Sequence, residues 1–195
     1  METTAVQEQH DDSAGQARRA IWHRIWPAAL ALLVAAATAY RIDDGRDVAP
    51  MVAASGLVYL AASATGRRWA AWVGFGATFA LIALDKFVGL DSTPWILALA
   101  VALLVVGLVG RRTRPWWSLP LQAIAMLVLA TVTLLAGRLD PTIGGLLVAA
   151  ALLGHAAWDV AHHRTGRVVD RSLAEFCAVL DVLVAAFVAV VALIG

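Results

Sequence analysis

Seven apolar runs dominate the chain, at 25–40, 49–65, 69–84, 95–110, 118–137, 143–158 and 173–194, and the first six contain no Asp, Glu, Lys or Arg. Each run, with its flanks, supplies the roughly 20 residues a helix needs to cross a hydrocarbon layer about 30 Å thick. A backbone in lipid finds no water for its N–H and C=O groups, so spans of this kind must be helices that satisfy those groups internally. Composition agrees: 61% of the 195 residues are hydrophobic and 15% are charged, where soluble domains carry about 25% charge. The sequence predicts an all-α, polytopic membrane protein with seven transmembrane helices. A polar tail at residues 1–20 has no apolar period and is expected to be disordered. The membrane domain then occupies 21–195, with no room left for a soluble domain. Arg18, Arg19 and Arg24 before the first run, and Ala37-Thr38-Ala39 at its end, have the parts of a cleavable signal. Six further spans follow, so the first run is read as a span.

The basic residues orient the bundle. Eleven arginines fall in the N-terminal flank and in alternate loops, at 18, 19, 24, 67, 68, 111, 112, 114, 164, 167 and 171. The opposite loops hold four basic residues, Arg41, Arg46, Lys86 and Arg138. The positive-inside rule puts the N-terminus in the cytoplasm and the C-terminus outside. Each helix expected to start outside is preceded by Asp and Pro: Asp47 with Pro50, Asp91 with Pro94, Asp140 with Pro141. Aspartate can accept from free N–H groups at a helix start, and proline tolerates the first turn. Ser172 and Glu175 have the spacing of a capping box for the last helix. Seven of the eight tryptophans sit near the cytoplasmic ends, as in an interfacial belt. Fourteen arginines against one lysine, with abundant Ala and Val, point to a GC-rich bacterial genome and a bacterial inner (plasma) membrane. The arginines lie in short loops and not along one face, so a nucleic-acid partner is not expected; the partner is the lipid bilayer. The one cysteine, Cys177, excludes an intrachain disulfide.

Against this apolar background one segment carries chemistry. His155, Asp159, His162 and His163 fall within nine residues at the end of the sixth run. At about 100° per residue, Asp159 lies roughly 40° from His155, His162 about −20° and His163 about 80°, all in one sector. The sixth helix runs inward, which puts His155 roughly 12 Å deeper than His163. The seventh runs outward, which puts Asp181 roughly 13 Å from its start. His155 and Asp181 therefore share a depth on adjacent helices. A carboxylate there is costly unless paired, and His155 is its obvious partner. The candidate polar site is His155, Asp159, His162, His163 and Asp181. As metal ligands, His155, Asp159 and His162 suit a divalent ion such as zinc. His155 to His162 spans two turns, roughly 10.5 Å of backbone, so a ligand from another helix is needed. The outer halves of the sixth and seventh helices are apolar, so the site is expected to face the cytoplasm. Gln122 is placed to reach the cluster. Cys177 reads as a packing residue, and Asp85 with Lys86 as interfacial.

Three functions stay open on these residues: a metal- or cofactor-binding membrane enzyme, a transporter or proton relay using His155 and Asp181, and a structural or partner-binding subunit without catalysis. In the last, His162 and His163 face the headgroups and Asp159 pairs with Arg164 or Arg167. Retinal proteins are excluded, because residues 173–195 hold no lysine for a Schiff base. The pattern His155-x-x-Trp158-Asp159-x-x-His162-His163, with Cys177 and Asp181 downstream, resembles one that recurs in small uncharacterised bacterial multi-pass membrane proteins. The resemblance covers about 30 residues and implies no activity.

Overall fold

The computed structural model describes Trp22 and residues 25–195. The expected disordered tail at 1–20 lies outside these residues. The described chain is all helical: α1 (Ile25–Ala39), α2 (Ala49–Thr65), α3 (Ala70–Val88), α4 (Thr93–Val109), α5 (Leu119–Ala136), α6 (Pro141–Thr165) and α7 (Arg171–Ile194), with one 3-10 turn at Gly45–Val48 before α2. Five of these segments are long and apolar enough to cross a membrane, while α1 and α4 are shorter apolar helices.

The packing inverts that of a soluble bundle. α2 is buried on every face, and it packs against α3, α4, α5 and α6. It is rich in Ala, Ser and Gly, and small side chains let neighbouring backbones approach closely. At Gly56 an added Cβ would lie 3.0 Å from the Met126 sulfur. α4 buries only Ile96, Ala100 and Gly107, a single stripe along the helix, and exposes Val101, Val105, Leu108 and Val109. Apolar surface of that extent is compatible with a membrane protein. α6 and α7, the two longest helices, form the most extensive pairing among the described residues.

The loops gather at two ends. At one, the Asp-Pro end, the Arg46 guanidinium donates to the Leu139 carbonyl at 2.9 Å, and Lys86 donates to the Thr38 carbonyl at 2.9 Å. At the other, the arginine end, Trp26 lies 5.6 Å from Trp72, and Arg167 sits 5.5 Å above the Trp117 ring.

Several helix starts differ from the sequence expectation. Asp140 does cap α6, accepting from Ile143 N at 3.1 Å. Asp47 caps nothing; Asp44, three residues earlier, caps the 3-10 turn. Asp91 accepts from Thr93 N at 3.0 Å, just ahead of α4. α7 begins at Arg171, one residue before the expected cap, and neither Ser172 nor Glu175 closes a capping bond. With Asp170 at the N-cap position, the capping-box spacing is two residues out of register. α6 ends at Gly166, where φ is 57° and the N–H donates to the His162 carbonyl at 2.7 Å. Glycine accepts that left-handed conformation without the clash a Cβ would bring.

A buried histidine–aspartate cluster

α6 stays helical through Thr165, so the whole histidine segment lies on one regular helix. His155 and Asp159 are one turn apart on the face turned to α7 and α2. Both are buried, at 5% and 0% exposure, and Asp181 of α7 is 2% exposed. His155 Nδ1 lies 2.8 Å from Asp181 Oδ2 and 3.3 Å from Asp159 Oδ2. One ligand atom from each of the three residues falls within 4.8 Å of the others.

Asp159 has a further partner that the sequence did not reveal. The Tyr59 hydroxyl of α2 donates to Asp159 Oδ1 at 2.6 Å. Tyr59 is 1% exposed, and its ring stands edge-on to both His155 and His162, at 5.4 and 4.8 Å between centroids. A signal was available, since a tyrosine in the middle of a span must find an acceptor for its O–H. Asp159 Oδ2 accepts no hydrogen bond among the described residues.

His162 stands apart from this group. Its Nδ1 donates to the Trp158 carbonyl at 3.0 Å, which leaves Nε2 as an acceptor facing Gln122 Nε2 at 3.4 Å. Gln122 also donates to the Trp117 carbonyl at 3.2 Å, and its buried Oε1 has no partner. Gln122 thus reaches the histidine segment, but at His162. His163 is half-buried and enters none of these contacts. Of the expected ligands, the structure brings together His155, Asp159 and Asp181; the two-turn separation keeps His162 outside. Asp159 does not pair with a loop arginine: Arg167 lies over Trp117.

The cluster is approached from an unexpected side. A cavity of about 550 Å³ reaches Cys177 and Asp181 and opens at the Asp-Pro end, beside Arg41, Asp47 and Lys86. The sequence pointed to the arginine end, because the outer halves of α6 and α7 are apolar. They are, but the cavity's hydroxyl lining comes from the other helices, through Thr38, Ser55, Thr78, Thr93 and Thr133. Cys177 and Asp181 come from α7 and line its inner end.

No protein-family description, no curated protein and no solved structure matches this chain.

Charge decides what the cluster can do. Two carboxylates and a neutral imidazole sum to minus two, and an imidazolium leaves minus one. Uncompensated charge is very costly away from water. The site is therefore completed by positive charge, either one extra proton on the His–Asp–Asp set or a cation.

Proposed function

We infer that the protein is a multi-pass membrane protein that holds one divalent cation at His155, Asp159 and Asp181. The observation that carries this is the fully buried Asp159 Oδ2, which accepts no hydrogen bond among the described residues and faces, at 3.3 Å, the nitrogen that already meets Asp181. A divalent ion with two carboxylates and a neutral imidazole sums to zero charge. One nitrogen and two oxygens suit zinc, whose bonds of about 2.0–2.2 Å place tetrahedral ligand atoms about 3.4 Å apart. The 3.3 Å separation meets that spacing, and the 2.8 Å one must widen slightly. Tyr59 would orient Asp159 from outside the ligand set, the usual role of a hydrogen bond to a ligating carboxylate. The basic-residue split supports seven spans in a bacterial plasma membrane with the N-terminus in the cytoplasm.

The test is elemental analysis of detergent-purified protein after zinc loading and dialysis. Wild type should retain about one zinc per chain, and His155→Ala and Asp181→Asn should retain none. Equal zinc in all three, or none in wild type, refutes the site.

A proton relay is the second reading, favoured by one feature. His155 Nδ1 sits between two carboxylate oxygens on different helices, one of them on the cavity wall. A proton arriving on Asp181 can pass to that nitrogen and on to Asp159 Oδ2. Proton flux into liposomes that Asp181→Asn abolishes, in protein without zinc, would favour this reading over the metal.

A further inference from the structure

The two ends of the bundle treat their charges differently. At the Asp-Pro end, four basic residues stand with six aspartates, and Arg46 is held by Asp44 at 2.6 Å. At the arginine end, eight arginines in three loops stand with only Asp170 and Glu175, a net charge of plus six. All eight are exposed, and none meets a carboxylate among the described residues. Residues 1–24 carry four acids and three arginines, too small an excess to cancel that charge.

We propose that the arginine end seats the phosphate of an anionic phospholipid between the α2–α3 loop (residues 66–69) and the α4–α5 loop (residues 110–118). Arg67, Arg68, Arg111 and Arg112 hold the phosphate, and the acyl chains lie on the apolar surface below. This rests on the membrane reading and is independent of the metal.

The fold gathers these like charges. α2 and α4 touch near their C-terminal ends, where a Cβ at Gly107 would lie 3.1 Å from the Ala64 Cα. The Arg112 guanidinium crosses to the other loop and lies against Gly66, where a Cβ would fall 2.6 Å from its Cζ. Arg67 and Arg68 follow Gly66 directly in the chain. Drawing guanidiniums from two loops to one place costs repulsion, which a bound anion offsets. Arg111 adds a backbone cost. Its N–H donates to the Leu108 carbonyl and that of Arg112 to the Gly107 carbonyl, both at 2.9 Å, the helix ending in which a left-handed glycine is usual. Here Arg111 takes that conformation, with φ of 53°.

The surroundings select a lipid over a free anion. Planar guanidiniums pair with phosphate oxygens, and basic clusters at the cytoplasmic edge of a membrane attract anionic head groups. Just before Arg111, α4 exposes Val105, Val106, Leu108 and Val109, the last by 79%. The Arg67 guanidinium lies 5.8 Å from the ring centre of exposed Trp69, a residue type that settles at head-group level. Charge and apolar surface therefore meet where a lipid carries both. A free phosphate or an acidic soluble partner would leave the apolar surface bare.

The experiment uses full-length protein in a non-ionic detergent, with native mass spectrometry and thermal unfolding read on the same samples. The probes are dioleoyl phosphatidylglycerol, dioleoyl phosphatidylcholine and inorganic phosphate. Phosphatidylglycerol should stay bound and raise the unfolding temperature more than phosphatidylcholine, and added salt should shrink the difference. Inorganic phosphate at the same concentration should do neither. Arg67→Gln with Arg68→Gln and Arg112→Gln should retain phosphatidylglycerol at least tenfold less, since each arginine near an anionic head group contributes about fivefold. Its retention of phosphatidylcholine should not change. Without anionic lipid, the same variant should unfold at the wild-type temperature or higher, because repulsion is removed. A lower temperature would mean that these arginines hold the loops and not a lipid, and would overturn the proposal. Arg41→Asn with Arg138→Gln, at the Asp-Pro end, should bind both lipids as wild type does. His155→Ala should do the same, so failure of the metal site leaves this result untouched. Equal retention of the two lipids by wild type would overturn the proposal, as would equal protection by inorganic phosphate. Release of the protein from membranes by alkaline carbonate would overturn the membrane reading along with it.

Discussion

Asp159 is the residue on which the cluster turns. It is wholly buried, one oxygen is held by Tyr59, and the other accepts nothing. Tyr59→Phe keeps the ring between the two imidazoles but removes the only donor to Oδ1. Leaving a buried acceptor unmatched costs about 1–3 kcal/mol. Thermal unfolding in detergent should therefore show a clear loss for Tyr59→Phe and a much smaller further loss for Tyr59→Phe in an Asp159→Ala background, where no acceptor remains. Equal losses in both backgrounds would mean that the 2.6 Å bond contributes nothing. The His155–Asp181 pair obeys the same logic. Asp181→Ala alone should destabilise more than Asp181→Ala with His155→Ala, because the single change strands a buried imidazole. Intramembrane hydrogen-bond couplings average only about 0.6 kcal/mol, so the coupling is measured by a full double-mutant cycle in unfolding titrations.

Among the elements, α6 carries the most constraint. It contributes two of the three clustered residues, and its N-terminal half touches the bundle through glycine. A Cβ at Gly144 would lie 2.6 Å from the Ala136 carbonyl oxygen and 2.8 Å from the Arg46 side chain, whereas at Gly154 it would meet nothing within 4 Å. Gly144→Ala should destabilise by about 1–3 kcal/mol, the usual range for overpacking. Gly154→Ala should be neutral, or stabilising by up to about 1 kcal/mol, since alanine is the better helix former. Measuring both separates close backbone approach from helix propensity, and a loss at Gly154 matching that at Gly144 would contradict the packing. α2 contributes in another way. Its small side chains admit four neighbours, and its one large polar side chain, Tyr59, thereby reaches the centre of the cluster.

At the scale of the molecule, the proposed topology assigns the arginine end to the cytoplasmic face and the Asp-Pro end to the outer face. A reporter active only in the cytoplasm should be silent when fused after Gly195 and active when inserted in the 111–115 loop. A bright fusion at Gly195 would rule out seven spans with a cytoplasmic N-terminus. The same polarity has a consequence for access. Under that orientation the cavity beside Arg41 and Lys86 opens toward the outer side, so ligand reaches Asp181 from the face opposite the histidine-rich end of α6.

Helix positions, the two loop classes and the shared depth of His155 and Asp181 were legible in the sequence. Each depends only on distance along the chain: apolar runs bounded by charge mark the helices, and rise per residue sets depth. The clustering of His155 with Asp159 followed from helical period in the same way. Tyr59 was not legible as their partner. α2 is apolar on all faces, so nothing in its pattern says which side meets α6. That choice comes from three-dimensional packing, in which small residues bring α2 to the centre. The cavity was hidden for a related reason. Its polar and charged lining is shared among α1 to α5, α7 and the turn before α2, whereas the apolar outer halves of α6 and α7 suggested a closed end. The sequence by itself determined which segments are helices and how far along its helix each polar group lies. Only the tertiary structure decided which groups meet, because a bundle's neighbours and rotations are set by packing between helices remote in the chain.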